Sequence, residues 1–103
     1  MKDLKFSALL DLYGNALTAK QFSMMEQYYH LDYSLAEIAE NESVTRQAVH
    51  ASLRLAQNAL TAFEQKLGFY ERRLAVQSVL DDAKATDDVS ALREALARIE
   101  ELI

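Results

Sequence analysis

Five polar side chains near the middle of the chain have the residue types and the spacing to read DNA. They are Thr45, Arg46, Gln47, His50 and Arg54. Arginine can pair bidentately with guanine and glutamine with adenine in the major groove, and the Thr45, His50 and Arg54 side chains can reach a phosphate or a base. The alternative is a solvated helix face on a structural hairpin. The neighbouring elements decide between these readings.

The residues before this group predict a short helix and a turn. Ser34 and Glu37 have the spacing of a capping box, which opens a helix that we expect to run through Glu40. The polar residues 41–44 end that helix, and Thr45 is a good cap for the next one. The second helix has an unbroken apolar pattern up to Gly68. Its members are Val49, Leu53, Ala56, Leu60, Phe63 and Leu67.

Two helices joined by a short turn form either a plain hairpin or a DNA-reading helix-turn-helix. The second type needs a small residue where the helices cross, and Ala39 supplies it. Val44 follows five residues later to close the turn, and Val49 and Leu53 can anchor the second helix to the first. The spacing therefore favours a helix-turn-helix in which the five polar side chains point outward at the N-terminal end of the second helix.

Two further helices are predicted before this pair. The first has one apolar face and ends at Gly14. That face consists of Phe6, Leu9, Leu10 and Tyr13. Thr18 and Gln21 form another capping box, followed by a helix over 19–29 with Phe22, Met25 and Tyr29 along one side. We expect Gly14 and Gly68 to be left-handed caps at helix C-termini.

Two more helices are predicted after Gly68. One covers 69–80, residues 81–86 form a linker, and Thr86 caps the last helix. The last helix carries a narrow apolar stripe that must dock on something. The stripe consists of Val89, Leu92, Leu96, Ile99 and Ile103. It either completes the domain core or forms a homodimer seam, and Leu55 with Ala59 offers another dimer surface.

The composition favours an all-α fold. The 103 residues include 16 leucines and 16 alanines, two glycines and no proline. We expect a helix-turn-helix domain over 1–73, without a β-wing, and a C-terminal helical extension over 74–103. The absence of cysteine excludes disulfides and thiolate metal sites. His30 and His50 make a poor metal pair.

No catalytic or cofactor motif is evident. No serine lies in a nucleophile elbow, and no glycine-rich loop could cradle a phosphate. We therefore expect neither an enzyme nor a cofactor nor a metal. With no long apolar run and no signal-peptide pattern, we expect a cytoplasmic protein that does not insert into a membrane.

The charge is unevenly distributed. The formal net charge is -5, but residues 42–73 carry a net +2, between -3 over 1–41 and -4 over 74–103. The only positive third contains the predicted reading helix, so the acidic total does not exclude DNA as a partner. Five basic residues in that third still make a thin footprint, because phosphate contacts supply most nonspecific affinity.

Residues 17–70 closely resemble the YlxM, or UPF0122, family of small bacterial helix-turn-helix proteins, and the resemblance extends back through residues 9–14. The most specific blocks are LLDLYG at 9–14, YSLAEIAE at 33–40, RQAV at 46–49 and EQKLGFYE at 64–71. More distantly, the same region resembles region 4 of sigma factors. The resemblance implies an all-helical DNA-binding domain. It also implies an accessory or regulatory role in the signal recognition particle pathway, because family genes typically adjoin that of the particle's GTPase or its receptor.

This chain departs from the family pattern at two places. The family usually has an apolar residue and then glycine in the turn, where this chain has Glu42 and Ser43. We expect a lost core contact at Glu42 and a looser helix pair, and a left-handed conformation at Ser43 would cost about 1 kcal/mol relative to glycine. The family also tends to carry several basic residues after RQAV, where this chain has only Arg54. That scarcity leaves open a module that binds signal recognition particle components without reading DNA.

Overall fold

The computed structural model describes residues 2–103, and this part of the chain is all-helical, with no β-strand. The all-α prediction is confirmed. Six α-helices and one short 3-10 turn, Gly14–Ala16, make up the structure. The helices are α1 (Leu4–Tyr13), α2 (Ala19–Tyr29), α3 (Leu35–Glu42), α4 (Arg46–Leu67), α5 (Phe69–Lys84) and α6 (Val89–Leu102).

Two compact units divide the chain at Leu67 and Gly68. In the first unit, α4 is the central helix, and α1, α2 and α3 all pack against it. Eleven apolar side chains are buried there. They are Leu9, Leu10, Tyr13, Met24, Met25, Ile38, Ala39, Val49, Leu53, Ala56 and Leu60. The domain boundary expected after residue 73 falls inside α5 and stays a prediction.

Side-chain caps begin α2 and α3 as predicted. The Thr18 hydroxyl accepts from the Gln21 amide at 3.1 Å, and the Gln21 side chain accepts from the Thr18 amide at 3.2 Å. Ser34 and Glu37 make the same reciprocal pair at 3.1 and 3.0 Å. Each box satisfies two backbone amides that helix geometry leaves without partners. The start of α3, which precedes the turn, is thereby fixed.

The two glycines have different roles. Gly68 has φ of 65°, so the left-handed conformation predicted there is confirmed. Gly14 has φ of -56°, and the left-handed cap predicted there is wrong. A β-carbon on Gly14 would lie 2.8 Å from Cε2 of the Phe22 ring. Glycine is needed at this position because α2 packs closely against it, a reason that local sequence does not reveal.

Helices α5 and α6 form the second unit and pack on each other. The linker predicted at 81–86 is mostly wrong, since α5 continues to Lys84. Aspartate, alanine and lysine do not break a helix, so nothing stops α5 earlier. Asp88, and not Thr86, is the N-cap of α6, because its carboxylate accepts from the Ser90 amide at 3.0 Å. The Thr86 hydroxyl instead accepts from the Asp88 amide at 3.1 Å.

Candidate nucleic-acid interface

The connection between α3 and α4 is a tight turn centred on Ser43. Ser43 has φ of 56° and ψ of 43°, which is the left-handed conformation that glycine would adopt at lower cost. Its amide donates to the carbonyls of Ala39 and Glu40, and the Val44 amide donates to the Ala39 carbonyl at 3.0 Å. These bonds use carbonyls that the end of α3 would otherwise leave unpaired.

The helices on either side of the turn pack through the predicted residues. Ala39 is 7% exposed and Val49 is fully buried, with Leu53 one turn further along α4 and also buried. The small side chain of Ala39 permits a close approach of α3 to α4. The Thr45 hydroxyl accepts from the Ala48 amide at 3.0 Å, which starts α4 at the predicted residue. Turn, crossing and cap together have the geometry of a helix-turn-helix.

All five predicted site residues lie exposed at the start of α4. Arg46, Gln47 and His50 line an open, shallow depression together with Leu35 of α3. His50 and Arg54 also border a smaller depression beside it. The structure thus brings the predicted residues together on the outer side of the first turns of α4, a stretch of about 12 Å from Arg46 to Arg54.

The polar groups on this face are not occupied by the rest of the protein. Within residues 2–103, the side chains of Arg46, Gln47, His50 and Arg54 make no hydrogen bond or ion pair inside the chain. A guanidinium that has no internal carboxylate partner keeps all five donors available for phosphate or base acceptors. The two arginines are the fixed cations of the face, so the thin basic footprint expected from the sequence is also seen in the structure.

Glu42 makes contacts that the sequence did not reveal. The apolar contact that the family pattern implies at this position is replaced by hydrogen bonds, because the Glu42 carboxylate accepts from the Ser23 hydroxyl at 2.9 Å and from Gln27 Nε2 at 2.8 Å. Asn41 Nδ2 donates to Gln27 Oε1 at 3.0 Å. These bonds tie the last turn of α3 to α2. Glu42, the last residue of α3, therefore attaches α3 to α2.

Two further residues beside the candidate interface were missed from the sequence. Gln57 lies one turn after Arg54 and borders the smaller depression, where its Nε2 donates to the Tyr29 hydroxyl at 2.6 Å. Burial raises the pKa of the Tyr29 phenol, partly offset by this hydrogen bond. Leu35, the first residue of α3, contributes an apolar side chain to the lining of both depressions. The three-residue spacing from Arg54 could have indicated that Gln57 lies on the same face of α4. The position of Leu35 beside that face follows only from how α3 packs on α4.

Lys2 holds the connection between α2 and α3. Its Nζ donates to the carbonyls of Tyr28 and Tyr33 at 2.8 and 2.7 Å, and it lies 3.1 Å from Asp32 Oδ1. It also sits 4.0 Å from the centroid of the Tyr28 ring. With these partners, Lys2 stabilises the connection and adds little to a phosphate-binding surface.

Neither a metal centre nor a membrane segment is indicated by residues 2–103. No three histidine or acidic side chains in this range converge as metal ligands would. Over the same range, no helix is both long enough and apolar enough to span a bilayer. The helix-turn-helix face is therefore the best-defined candidate site in the described part of the chain.

Comparison with known proteins agrees with this geometry. The family model UPF0122, described as "Putative helix-turn-helix protein, YlxM / p13 like", matches residues 1–100. A UPF0122 protein of Symbiobacterium thermophilum is 46% identical over 103 residues, covering 96% of each chain. One from an Exiguobacterium species is 39% identical over 103 residues with the same coverage. One from Streptococcus agalactiae is 42% identical over 89 residues, covering 84% of this chain and 81% of the relative.

Proposed function

We propose that this chain, which belongs to the UPF0122 family of helix-turn-helix proteins, binds double-stranded DNA in the cytoplasm and acts as a regulatory protein. One observation carries the proposal. The side chains of Arg46, Gln47, His50 and Arg54 lie exposed and without internal partners at the N-terminal end of the second helix of the motif. This is the part of such a helix that enters the major groove.

Each residue has a role that follows from its chemistry. Arg46 pairs with guanine and Gln47 with adenine, since both lie in the first turn of α4. His50 lies one turn further along and contacts a base or a phosphate. Thr45 caps the helix and can donate its hydroxyl proton to a phosphate, and Arg54 contacts the backbone. The helix-turn-helix scaffold sets the orientation of all five.

The proposed DNA-binding form is a homodimer. One copy has only Arg46 and Arg54 as cations on the proposed DNA-binding face and so makes few phosphate contacts. Two copies would double that number. Two-fold symmetric readers place their recognition helices about 34 Å apart, one DNA turn, so that each enters a half-site. The dimer would thus supply affinity that a single acidic chain lacks.

The test is a salt-dependent binding assay on wild type and on Arg46→Ala with Gln47→Ala. The double variant should lose about tenfold or more in specific affinity, because a bidentate base contact discriminates by about 1–3 kcal/mol. The matched control is Gln65→Ala with Arg73→Ala, which removes the same residue types at exposed positions elsewhere. A wild-type protein with no DNA affinity even at low salt would refute the proposal.

A second candidate function is binding to components of the signal recognition particle, as the family resemblance implies. The observation that favours it is the thin basic surface, since α4 carries no basic residue between Arg54 and Lys66. The same exposed face would then contact a protein or a ribonucleoprotein surface. Pull-down with the particle's GTPase and its RNA separates the two functions. A lack of complex at micromolar concentrations would exclude this candidate.

A further inference from the structure

The second unit lacks a buried core of its own. Helices α5 and α6 pack on each other, yet neither contributes a fully buried side chain. A two-helix unit this short cannot bury enough apolar surface to be stable without further packing. An additional surface must therefore cover its apolar residues.

The apolar surface on α6 is a narrow stripe. Leu96 is 64% exposed and Ile103 is 81% exposed, with Val89 and Leu92 also exposed and Ile99 partly so. The members follow one another at intervals of three and four residues, which is the spacing of a coiled-coil seam. A solvent-facing seam of this kind is typical of helices that associate.

The stripe is distinct from the surface that α6 turns towards α5. The groove between α5 and α6 is lined on the α6 side by Ala91, Glu94, Ala95, Arg98 and Leu102. All of these except Glu94 directly precede a member of the stripe, so the two surfaces lie about 100° apart around the helix. Packing on α5 therefore leaves the stripe available.

We propose that this α6 stripe is the seam of a homodimer in which the α6 helices of two copies pack antiparallel about a two-fold axis. The proposal deepens the homodimer of the proposed function by naming its surface, and it holds whether or not DNA is bound. Two such hairpins joined through α6 would form a four-helix bundle, which supplies the core that one hairpin lacks.

The charges beside the stripe select the antiparallel orientation. Arg93 follows Leu92 and Glu100 follows Ile99, so the two lie on the same side of the stripe, two helical turns apart. Within residues 2–103, neither forms an ion pair inside the chain. When two copies run antiparallel, this side of one α6 faces the same side of the other, and Arg93 of each copy lies opposite Glu100 of the other.

The same charges also select the register. The Arg93–Glu100 pairs form when Leu92 of one copy packs near Ile103 of the other and Leu96 near Ile99. A shift by one heptad would bring Arg93 against Arg93 of the other copy, which is repulsive. A parallel arrangement would place Glu100 opposite Ala95, on the side where α5 packs. The parallel arrangement would also place Arg93 opposite Asp88, whose carboxylate already accepts from the Ser90 amide at 3.0 Å. Of the three arrangements, only the first pairs Arg93 with a carboxylate that has no partner within residues 2–103.

The first experiment is sedimentation equilibrium on the full chain without DNA. We expect wild type to have twice the monomer mass of 11.7 kDa and Leu96→Asp to be a monomer. Ala97→Asp places the same charge one residue away, off the stripe, and should remain a dimer. Circular dichroism on each variant shows whether the helices persist. A monomeric wild type at 100 μM would overturn the proposal.

Charge exchange tests the orientation by its ion pairs. Arg93→Glu should weaken dimerisation by about tenfold, because two attractive pairs become repulsive. Arg93→Glu combined with Glu100→Arg should restore wild-type affinity, since the pairs re-form with exchanged signs. Failure of the combined variant to recover would overturn the antiparallel register.

Disulfide trapping gives an independent readout, since the chain has no cysteine of its own. Leu92→Cys with Ile103→Cys should form a covalent dimer under mild oxidation, whereas Ile103→Cys alone should not. Efficient trapping by Ile103→Cys alone would indicate parallel helices and overturn the proposal. So would a dimer that survives Leu96→Asp but is lost in Leu55→Asp, because Leu55 lies on α4, where it is 62% exposed.

Discussion

Replacing Glu42 by alanine should loosen the helix-turn-helix through the loss of two hydrogen bonds. The Glu42 carboxylate accepts from Ser23 at 2.9 Å and from Gln27 at 2.8 Å, at a partly buried position between α2 and α3. A hydrogen bond to a charged group contributes about 1.5–3 kcal/mol, and partial exposure reduces this to about 1 kcal/mol each. The substitution also removes a negative charge from the C-terminal end of α3, where the helix dipole disfavours it, and this stabilises the fold by about 0.5 kcal/mol.

The net expectation is that Glu42→Ala lowers the free energy of unfolding by about 1.5 kcal/mol. Urea denaturation measures it. The matched control is Glu40→Ala, which makes the same change on an exposed side chain of the same helix and should alter stability by less than about 0.5 kcal/mol.

A double-mutant cycle separates this contact from general effects on the helix. Glu42→Ala and Gln27→Ala should couple by about 1 kcal/mol, because each removes the same hydrogen bond. Glu40→Ala and Gln27→Ala should be additive. If Glu42→Ala destabilises no more than Glu40→Ala, the hydrogen bonds contribute nothing net and the reasoning is refuted.

Three other substitutions test the local geometry. Gly14→Ala should cost about 1–3 kcal/mol in thermal unfolding, since its methyl group would lie 2.8 Å from the Phe22 ring; an unchanged Tm would contradict this. Ser43→Gly should stabilise by about 1 kcal/mol in urea unfolding, because φ of 56° strains serine; a loss of stability would be evidence against strain. Hydrogen bonds from Ser34 lower the pKa of Glu37. The folding stability that these bonds contribute is therefore fully present at a pH above 4.5, the ordinary pKa of the carboxyl, and is lost as the pH falls through the lowered pKa. Wild type should therefore lose more stability on acidification than Glu37→Gln, and equal losses would exclude that linkage.

The sequence predicts those parts of the fold that depend on local spacing. The apolar period of α4 identified its buried residues Val49, Leu53, Ala56 and Leu60. Ser34 and Glu37 determined the start of α3, because a capping box involves only residues within one turn. The outward position of Arg46, Gln47 and His50 followed from the same period, since residues opposite a buried stripe are exposed.

Features that depend on contacts between distant residues were not predictable. Gly14 is required by Phe22 of the next helix, and Glu42 is bound by side chains of α2 that lie 19 and 15 residues earlier. Met24 and Met25 are both buried, although the predicted apolar face of α2 included Met25 and not Met24. A helix that packs on two neighbours buries a wider face than its strongest periodicity indicates.

Under the two proposals together, the exposed face of Thr45, Arg46, Gln47, His50 and Arg54 and the α6 stripe would account for DNA binding by an acidic chain. With only Arg46 and Arg54 as fixed cations per copy, the slope of log affinity against log salt should be small, about -4 for a dimer and about -2 for a monomer. Leu96→Asp should therefore weaken DNA binding and roughly halve that slope, because the proposal places Leu96 in the dimer seam. Ala97→Asp adds the same negative charge and should leave the slope unchanged. A monomeric Leu96→Asp protein that keeps the wild-type slope would mean that one copy binds DNA alone, and the two proposals would then be independent.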